Sequence, residues 1–503
     1  MDWLKLKSGS DVRGKACGEN AVITGAVARA LGMAFVHKLE KETGKCPEKI
    51  TVALGRDSRI TGRALLEAAA DGILRAGAGV LDFDMCTTPA MFMAVITPGF
   101  EPDGSIMITA SHHPWDRNGL KFFTGRGGIE SREVEELLKD AQGLNPESQP
   151  PRGKAERKAF LPVYMNQLAD RIRSGLDVSE ERPLSGLHIA VDAGNGAGGF
   201  YADMLRSLGA NTDGSQFLDP DGMFPNHIPN PENPDAIASI RGAVIRSGAD
   251  LGVIFDTDCD RAAVVDADGR EINRNRLIAL ISAILLEQEK GLTIVTDPVT
   301  SSGLKKFIED HGGIHYRFKR GYRNVIDEAI RLNGEGLRCP LAIETSGHAA
   351  LQENHFLDDG MYLVTVLIVK AMEMKRMGQT LGSLIADLRE PAESTEIRLN
   401  ITEPDFRTAG QNAINRVMSR TENDPEWHAA PDNREGIRVS FDLKGEKDSG
   451  WFLLRLSVHD PVLPLNCESD VDGGVNVMLD RLMDVLKGTE GIDLTPLQKA
   501  LEG

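Results

Sequence analysis

Three carboxylates stand at alternate positions in Asp256-Thr257-Asp258-Cys259-Asp260-Arg261, between the apolar runs 251–255 and 262–265. In an extended segment residues i, i+2 and i+4 share one face, so the three are expected to converge. At about 4 Å separation and an effective dielectric near 20, each like-charge pair costs roughly 4 kcal/mol. Three such pairs between two core strands predict a bound cation. Oxygen-only ligation by Asp256, Asp258 and Asp260 suits one Mg²⁺ per chain, and the lack of His argues against zinc. A calcium loop of the EF-hand type does not fit, because Arg261 sits where a Gly is required and Ala267 where a bidentate Glu belongs. A solvated acidic turn is the plainer alternative, and the flanking apolar strands speak against it.

A second stretch, Thr109-Ala110-Ser111-His112-His113-Pro114, leaves a strand and returns through Asn118-Gly119-Leu120-Lys121. A Ser at a strand-to-loop corner is exposed enough to act as a nucleophile or to carry a phosphate. Lys121 on the returning strand can face the same cleft as an acid/base or a phosphate clamp, with His112 beside the hydroxyl. On local grounds alone, Ser111 is equally a turn former. Glu344-Thr345-Ser346-Gly347-His348 brings together a carboxylate, a hydroxyl and an imidazole able to hold adjacent sugar hydroxyls, or forms an ordinary polar turn. Lys319-Arg320-Gly321 precedes a helix, where backbone amides can approach an anion. Arg455 and Ser457 at a strand end offer donors for a phosphate, although an Arg-x-Ser is common.

The elements that must position these loops follow one grammar: a short apolar strand, a polar loop, an amphipathic helix. Strands are expected at 50–54, 80–83, 105–109, 187–191, 252–255, 293–296 and 341–343, with a helix at 63–76. Gly55-Arg56-Asp57-Ser58-Arg59 is one of the loops between them. The alternation implies α/β layers. From about residue 396 the pattern changes to strands 436–442 and 451–457 and one final helix, a smaller α+β domain. With 503 residues the chain exceeds one core. Its net charge of −18 opposes nucleic acid as a main partner. No apolar run approaches the ~20 residues of a membrane span. No signal peptide is evident, which implies a cytoplasmic protein or one whose targeting segment has been removed. Six scattered cysteines without a CxxC read as reduced thiols.

In order and spacing these loops resemble the α-D-phosphohexomutase family. Thr109 to Pro114 with Asn118 to Lys121 is similar to its phosphoserine loop, Asp256 to Arg261 to its metal loop, and Glu344 to His348 to its sugar loop. Ser10-Asp11-Val12-Arg13-Gly14, Phe224-Pro225-Asn226-His227, Pro229-Asn230-Pro231-Glu232 and Asp358-Asp359-Gly360 match further motifs. The resemblance implies three related α/β domains with mixed sheets and a C-terminal α+β domain around a central cleft. Their expected bounds are 1–160 with the phosphoserine loop, 161–291 with the metal loop, 292–393 with the sugar loop and 394–503 with the phosphate loop. It implies that Ser111 carries a phosphoryl group between C1 and C6 of a hexose phosphate through a hexose 1,6-bisphosphate. Mg²⁺ then sits between Ser111 and the three aspartates. Ser111, Lys121, Arg13 and His112 are the implied catalytic residues; Arg261, Lys319, Gly321, Glu344, Ser346, His348, Arg455 and Ser457 are the implied substrate-binding residues. A phosphomannomutase or phosphoglucomutase acting as a monomer or homodimer, without nucleic acid or membrane partners, is expected. The phosphate loop departs from the family pattern at Val458 and His459, the phosphoserine loop at His113, and no Gly precedes Glu344. A phosphoglucosamine mutase and a non-catalytic sugar-phosphate binder therefore stay open, as does a Mg²⁺-dependent phosphatase with an Asp nucleophile.

Overall fold

Thr51–Arg56 lies in the interior of the first sheet, and its Val52, Ala53 and Leu54 are fully buried. Burial on both faces explains why it reads as a continuous apolar run rather than an alternating one. Gly79–Met85 and Gly104–Ile108 pair with it in parallel, and Ala155–Arg157 extends the parallel edge. Arg117–Thr124 returns antiparallel to Gly104–Ile108 and is followed outward by Asp11–Lys15 and Lys7–Ser8. The sheet is mixed, as expected. The helices Gly25–Thr43 and Gly62–Ala76 cross where Gly32 meets Ala69 and Gly72 meets Arg29; a Cβ on either glycine would enter the other backbone.

The structure is a computed structural model and describes residues 2–176, 181–457 and 460–502. The chain forms two compact units, Met1–Leu277 with Ser346–Leu384, and Ile278–Thr345 with Ile385–Gly503. The first unit holds the sheet above and a second one. In the latter, Ile189–Asp192 runs parallel to Leu251–Phe255, while Ala262–Asp266 and Glu271–Ile272 follow antiparallel. The helices Leu161–Gly175, Pro234–Ser247 and Gly360–Arg376 belong to this unit. A short antiparallel pair, Ala349–Leu351 with Leu357–Asp358, completes it.

In the second unit, Ile314–Arg317, Thr293–Thr296 and Leu341–Ile343 run parallel, with helices Ser302–Asp310 and Tyr322–Gly334. Its other sheet is antiparallel: Ile437–Leu443, Glu446–Leu454, Val462–Ser469 and Glu393–Ile401 lie in that order, with short strands at both edges. Trp427, Phe441 and Phe452 pack ring against ring in its core. The layered α/β architecture with a C-terminal α+β part is as the sequence implied.

Two details differ. The strand expected at 451–457 runs over Glu446–Leu454, pairing with Ile437–Leu443 across a tight hairpin. Two helices, not one, close the chain. Gly474–Leu486 ends, Ile492–Asp493 pairs with Asn400 and Ile401, and Asp493 Oδ1 then accepts the Thr495 N–H where Thr495–Glu502 starts. Among the described residues no helix is long and apolar enough to cross a membrane.

Candidate active site

Ser111 follows the strand Gly104–Ile108 and sits in the left-handed region, φ 51°. The sequence places it at an exposed corner, whereas the structure buries it at 2% exposure. The loop folds inward because the Ser111 N–H donates to Thr109 Oγ1 at 2.8 Å and its Oγ donates to Asp256 Oδ2 at 2.7 Å. His112 Nδ1 lies 3.3 Å from the same Oγ. Burial, reinforced by Arg261, keeps the His112 imidazole neutral, and burial with Arg13 pushes His113 down to about 3.

Asp256, Asp258 and Asp260 converge as expected, each offering a carboxylate oxygen within 4.8 Å of the others. The route differs from the extended segment read from the sequence. Residues 256–260 form a tight turn with Cys259 at φ 66°, and the Cys259 N–H donates to Asp256 O at 3.3 Å. A turn gathers the side chains because the strands Leu251–Phe255 and Ala262–Asp266 pair antiparallel on either side of it. All three carboxylates are buried. Lys121 reaches in from Arg117–Thr124, its ammonium donating to Asp258 Oδ2 at 2.9 Å and also to Asp260. Burial disfavours that charge, but Asp258 and Asp260 outweigh it and hold Lys121 well above the usual lysine range. Burial and its two acidic neighbours push Asp256 upward, so the cluster holds more negative charge than its cations balance comfortably.

Asp258 Oδ1 and Asp260 Oδ1 are buried without a hydrogen-bond partner. Orphaned carboxylate oxygens in a dry, triply acidic cluster fit a hard cation with oxygen ligands. Arg261 Nε is 3.3 Å from Asp256 Oδ2 and its Nη1 lies 3.5 Å from Glu232 Oε2. Arg13 donates to Asp11 at 2.6 Å, and Asp258 and Asp260 help to raise its pKa against burial.

His348 joins this unit through a β-bridge between Arg261 and His348. Its Nδ1 donates to Asp358 Oδ2 at 2.5 Å. Burial opposes the imidazolium, yet Asp358 and then Asp260 lift it to about 9. Ser346 begins this stretch of the unit. The second unit holds Lys319, Gly321, Glu344, Arg455 and Ser457. Gly321 takes φ +117°, which favours glycine, at the start of Tyr322–Gly334. Its N–H is already engaged, donating to Glu344 Oε1 at 2.6 Å. Arg455 Nη1 lies 3.8 Å from Glu435 Oε1, and Arg455 Nε is buried without a partner. Ser457 Oγ accepts the Asp460 N–H at 3.2 Å. Val458 and His459, where the sequence departs from the family pattern, lie outside the described residues.

Sequence reasoning missed one contributor in the first unit and gave two others no role. Thr88 Oγ1 donates to Asp258 Oδ2 at 2.5 Å and its N–H to Asp258 O at 2.9 Å. Thr87-Thr88-Pro89 reads as a helix start, which it also is. Asp358 was visible only as part of a motif, and Glu232 likewise.

Comparison with known proteins accords with this arrangement. The family descriptions "Phosphoglucomutase/phosphomannomutase, alpha/beta/alpha" domains I, II and III match residues 5–143, 162–269 and 273–391. A phosphomannomutase of Salmonella typhimurium is 32% identical over 463 residues, 90% of this chain and 94% of that protein. A phosphoglucomutase of Neisseria meningitidis is 30% identical over 445 residues, 88% and 89% of the two chains. The crystal structure of a phosphoglucomutase/phosphomannomutase family protein from Burkholderia thailandensis superposes with a TM-score of 0.79 at 27% identity, covering 97% of this chain and 98% of that one. With a serine hydroxyl seated against a cation-ready acidic cluster and this likeness running along nearly its whole length, the chain belongs to the phosphoglucomutase/phosphomannomutase family and is a phosphohexomutase, an isomerase that moves a phosphoryl group on a sugar.

Proposed function

We propose that the enzyme transfers a phosphoryl group between C1 and C6 of a hexose phosphate, with mannose and glucose phosphates as substrates and Ser111 as the carrier. The observation that carries this reading is the 2.7 Å contact of Ser111 Oγ with Asp256 inside the triply acidic, lysine-braced cluster. Curated relatives named phosphomannomutase/phosphoglucomutase, such as that of Pseudomonas putida at 29% identity over 87% of this chain, support the pair of sugars. We place the enzyme in the cytoplasm, with a hexose 1,6-bisphosphate as intermediate and activator.

Asp256, Asp258 and Asp260, with a Ser111 oxygen, are the residues that would hold Mg²⁺, which supplies neutralisation of phosphoryl charge. In the forward half, the free sugar hydroxyl attacks phosphorus and loses its proton, the bond from phosphorus to Ser111 Oγ breaks, and Oγ gains a proton, so none is lost or gained overall. His112, kept neutral by burial and 3.3 Å away, is placed to hydrogen-bond Oγ and orient it as the proton returns. Lys121 is held protonated by Asp258 and Asp260, which suits it to stabilise charge or to donate rather than to abstract a proton. Arg13 adds positive charge facing the same carboxylates. Phosphoryl transfer asks for this kind of positioning and neutralisation more than for covalent help. In the second half the bisphosphate presents its other phosphate, and Ser111 takes it back. Arg261, Lys319, Gly321, Glu344, Ser346, His348, Arg455 and Ser457 are assigned to holding the sugar and its second phosphate.

The test combines product analysis with intact mass. Given glucose 1-phosphate or mannose 1-phosphate and a trace of the 1,6-bisphosphate, the protein should form the 6-phosphate. It should also carry an adduct of about 80 Da that disappears in Ser111→Ala. Release of inorganic phosphate without the 6-phosphate would instead indicate a phosphatase. A chain that never acquires the adduct would be a binder rather than a mutase.

A further inference from the structure

In Gly55-Arg56-Asp57-Ser58-Arg59 the strand Thr51–Arg56 ends and the chain turns into a loop from which Arg59 reaches the Ser111 carbonyl. We infer that Arg59 is a positioning residue for the phosphate carrier: its guanidinium is the core around which the Ser111 loop is wound. The inference rests on the reading of Ser111 as carrier.

Arg59 is 1% exposed. Its Nη2 donates to Ser111 O and, at 2.6 Å, to His113 O; its Nη1 donates to Pro114 O at 2.8 Å and to Arg117 O at 2.9 Å. Four carbonyls of one short loop are thus turned inward onto one side chain. Buried carbonyls require donors, and an irregular loop supplies few of its own. A planar fork of fixed donors meets this need, whereas an ammonium, a point charge with three donors, has no fork to spread over acceptors in this arrangement. A second arm fixes the other side of Ser111. Asp57 Oδ1 accepts the Arg59 N–H at 3.0 Å and Oδ2 accepts the Thr109 hydroxyl at 2.7 Å; Thr109 Oγ1 in turn accepts the Ser111 N–H. Both backbone groups of Ser111 are therefore tied to residues 57–59, one directly and one through Thr109.

Such double anchoring matters because Ser111 occupies φ 51°, sparsely populated for a residue with a Cβ and kept only where the surroundings over-determine it. That conformation is the one that aims Oγ at Asp256. The Phe224 ring, 5.2 Å from the guanidinium, lies against it. Arg59 makes no hydrogen bond to the three aspartates, and although its charge is felt at Asp258, Arg59→Lys keeps that charge, so a loss in that variant reports on the loop.

The test measures the rate at which Ser111 takes phosphate from glucose 1,6-bisphosphate, by intact mass, alongside steady-state kinetics. Arg59→Lys should stay folded by circular dichroism, keep its KM within about twofold, and lose on the order of 10²-fold in kcat and in phosphorylation rate, the cost of a carrier misplaced by about 1 Å. Arg59→Gly should recover part of its rate in millimolar guanidinium and none in methylammonium. Thr109→Val cuts the second arm with little change of volume and should lose at least tenfold; it decides the matter if the Arg59 variants do not fold. Arg29→Lys, a partly buried arginine bound to Asp71 in the same unit, should keep the native rate. An Arg59→Lys or folded Thr109→Val protein phosphorylated as fast as wild type would overturn the inference while leaving the carrier reading intact. A wild-type chain that takes no phosphate would remove the carrier reading, and the inference with it.

Discussion

At the scale of single residues, Asp258 shows how much of the site is electrostatic. Its Oδ2 accepts from both Lys121 and Thr88, while Oδ1 has no partner. Asp258→Asn keeps an oxygen for both donors and removes one charge from a cluster of three. Turnover should fall by about 10²-fold or more even at saturating metal, the size of loss seen when one preorganised electrostatic group is removed. The variant should stay folded in EDTA, because Asp260 still pairs with Lys121 and no core packing is lost. Native turnover in this variant would refute the metal assignment. Spacing made the three aspartates legible, since alternate carboxylates between apolar strands have few other uses. Even so, the geometry came from a turn rather than an extended segment. Thr88 was not legible. It lies 170 residues from its partner, and a Thr-Pro at a helix start says nothing of what it faces. Arg59 was hidden for the same reason: its four acceptors are backbone carbonyls, which leave no mark in side-chain chemistry.

At the scale of elements, the short buried strands Thr293–Thr296 and Leu341–Ile343 stand where the sequence put them, because continuous apolar runs between polar loops have one reading. Phe406–Asn423 was missed, since it buries only Gly410, Ala413, Ile414 and Val417 along eighteen residues. The helix Gly360–Arg376 offers an element-level test through Asp359, its N-cap. The carboxylate accepts from Tyr362 N–H, Tyr164 OH and Asn354 Nδ2, each near 3 Å or closer. Burial nevertheless dominates these donors and lifts Asp359 to about 6. An unfolded Asp titrates near pH 3.9, so between roughly pH 4 and 6 the folded chain holds a proton that the unfolded chain has lost. The stabilisation is therefore complete below about pH 4 and disappears as pH rises through 6, a swing of about 3 kcal/mol for a shift of about two units. Asp359→Asn mimics the protonated form at every pH. In urea titrations in EDTA, its stability relative to wild type should rise by roughly that amount between pH 4 and 8. A difference that does not change with pH would show that Asp359 titrates normally.

At the scale of the whole molecule, the site gathers segments far apart in the chain. Ser111, Lys121 and Thr88 come from the region matched by the first family domain, and the three aspartates from the region matched by the second. Both regions lie in the same compact unit. Concentrated buried acidity within a chain of net charge −18 makes the stability of that unit depend on a cation. A ligand that binds only the folded state stabilises it by RT ln(1 + [L]/Kd), about 2.7 kcal/mol at a concentration of 100 Kd. The unfolded chain scatters Ser111 and the aspartates, so it offers Mg²⁺ no comparable site. Scanning calorimetry should therefore show Mg²⁺ raising the midpoint of unfolding, and EDTA should reverse the shift. In Asp258→Asn the shift should shrink, and in a protein with all three aspartates changed to Asn it should vanish. A shift that survives the triple change would mean that the cation acts elsewhere and that the cluster at the turn does not hold it.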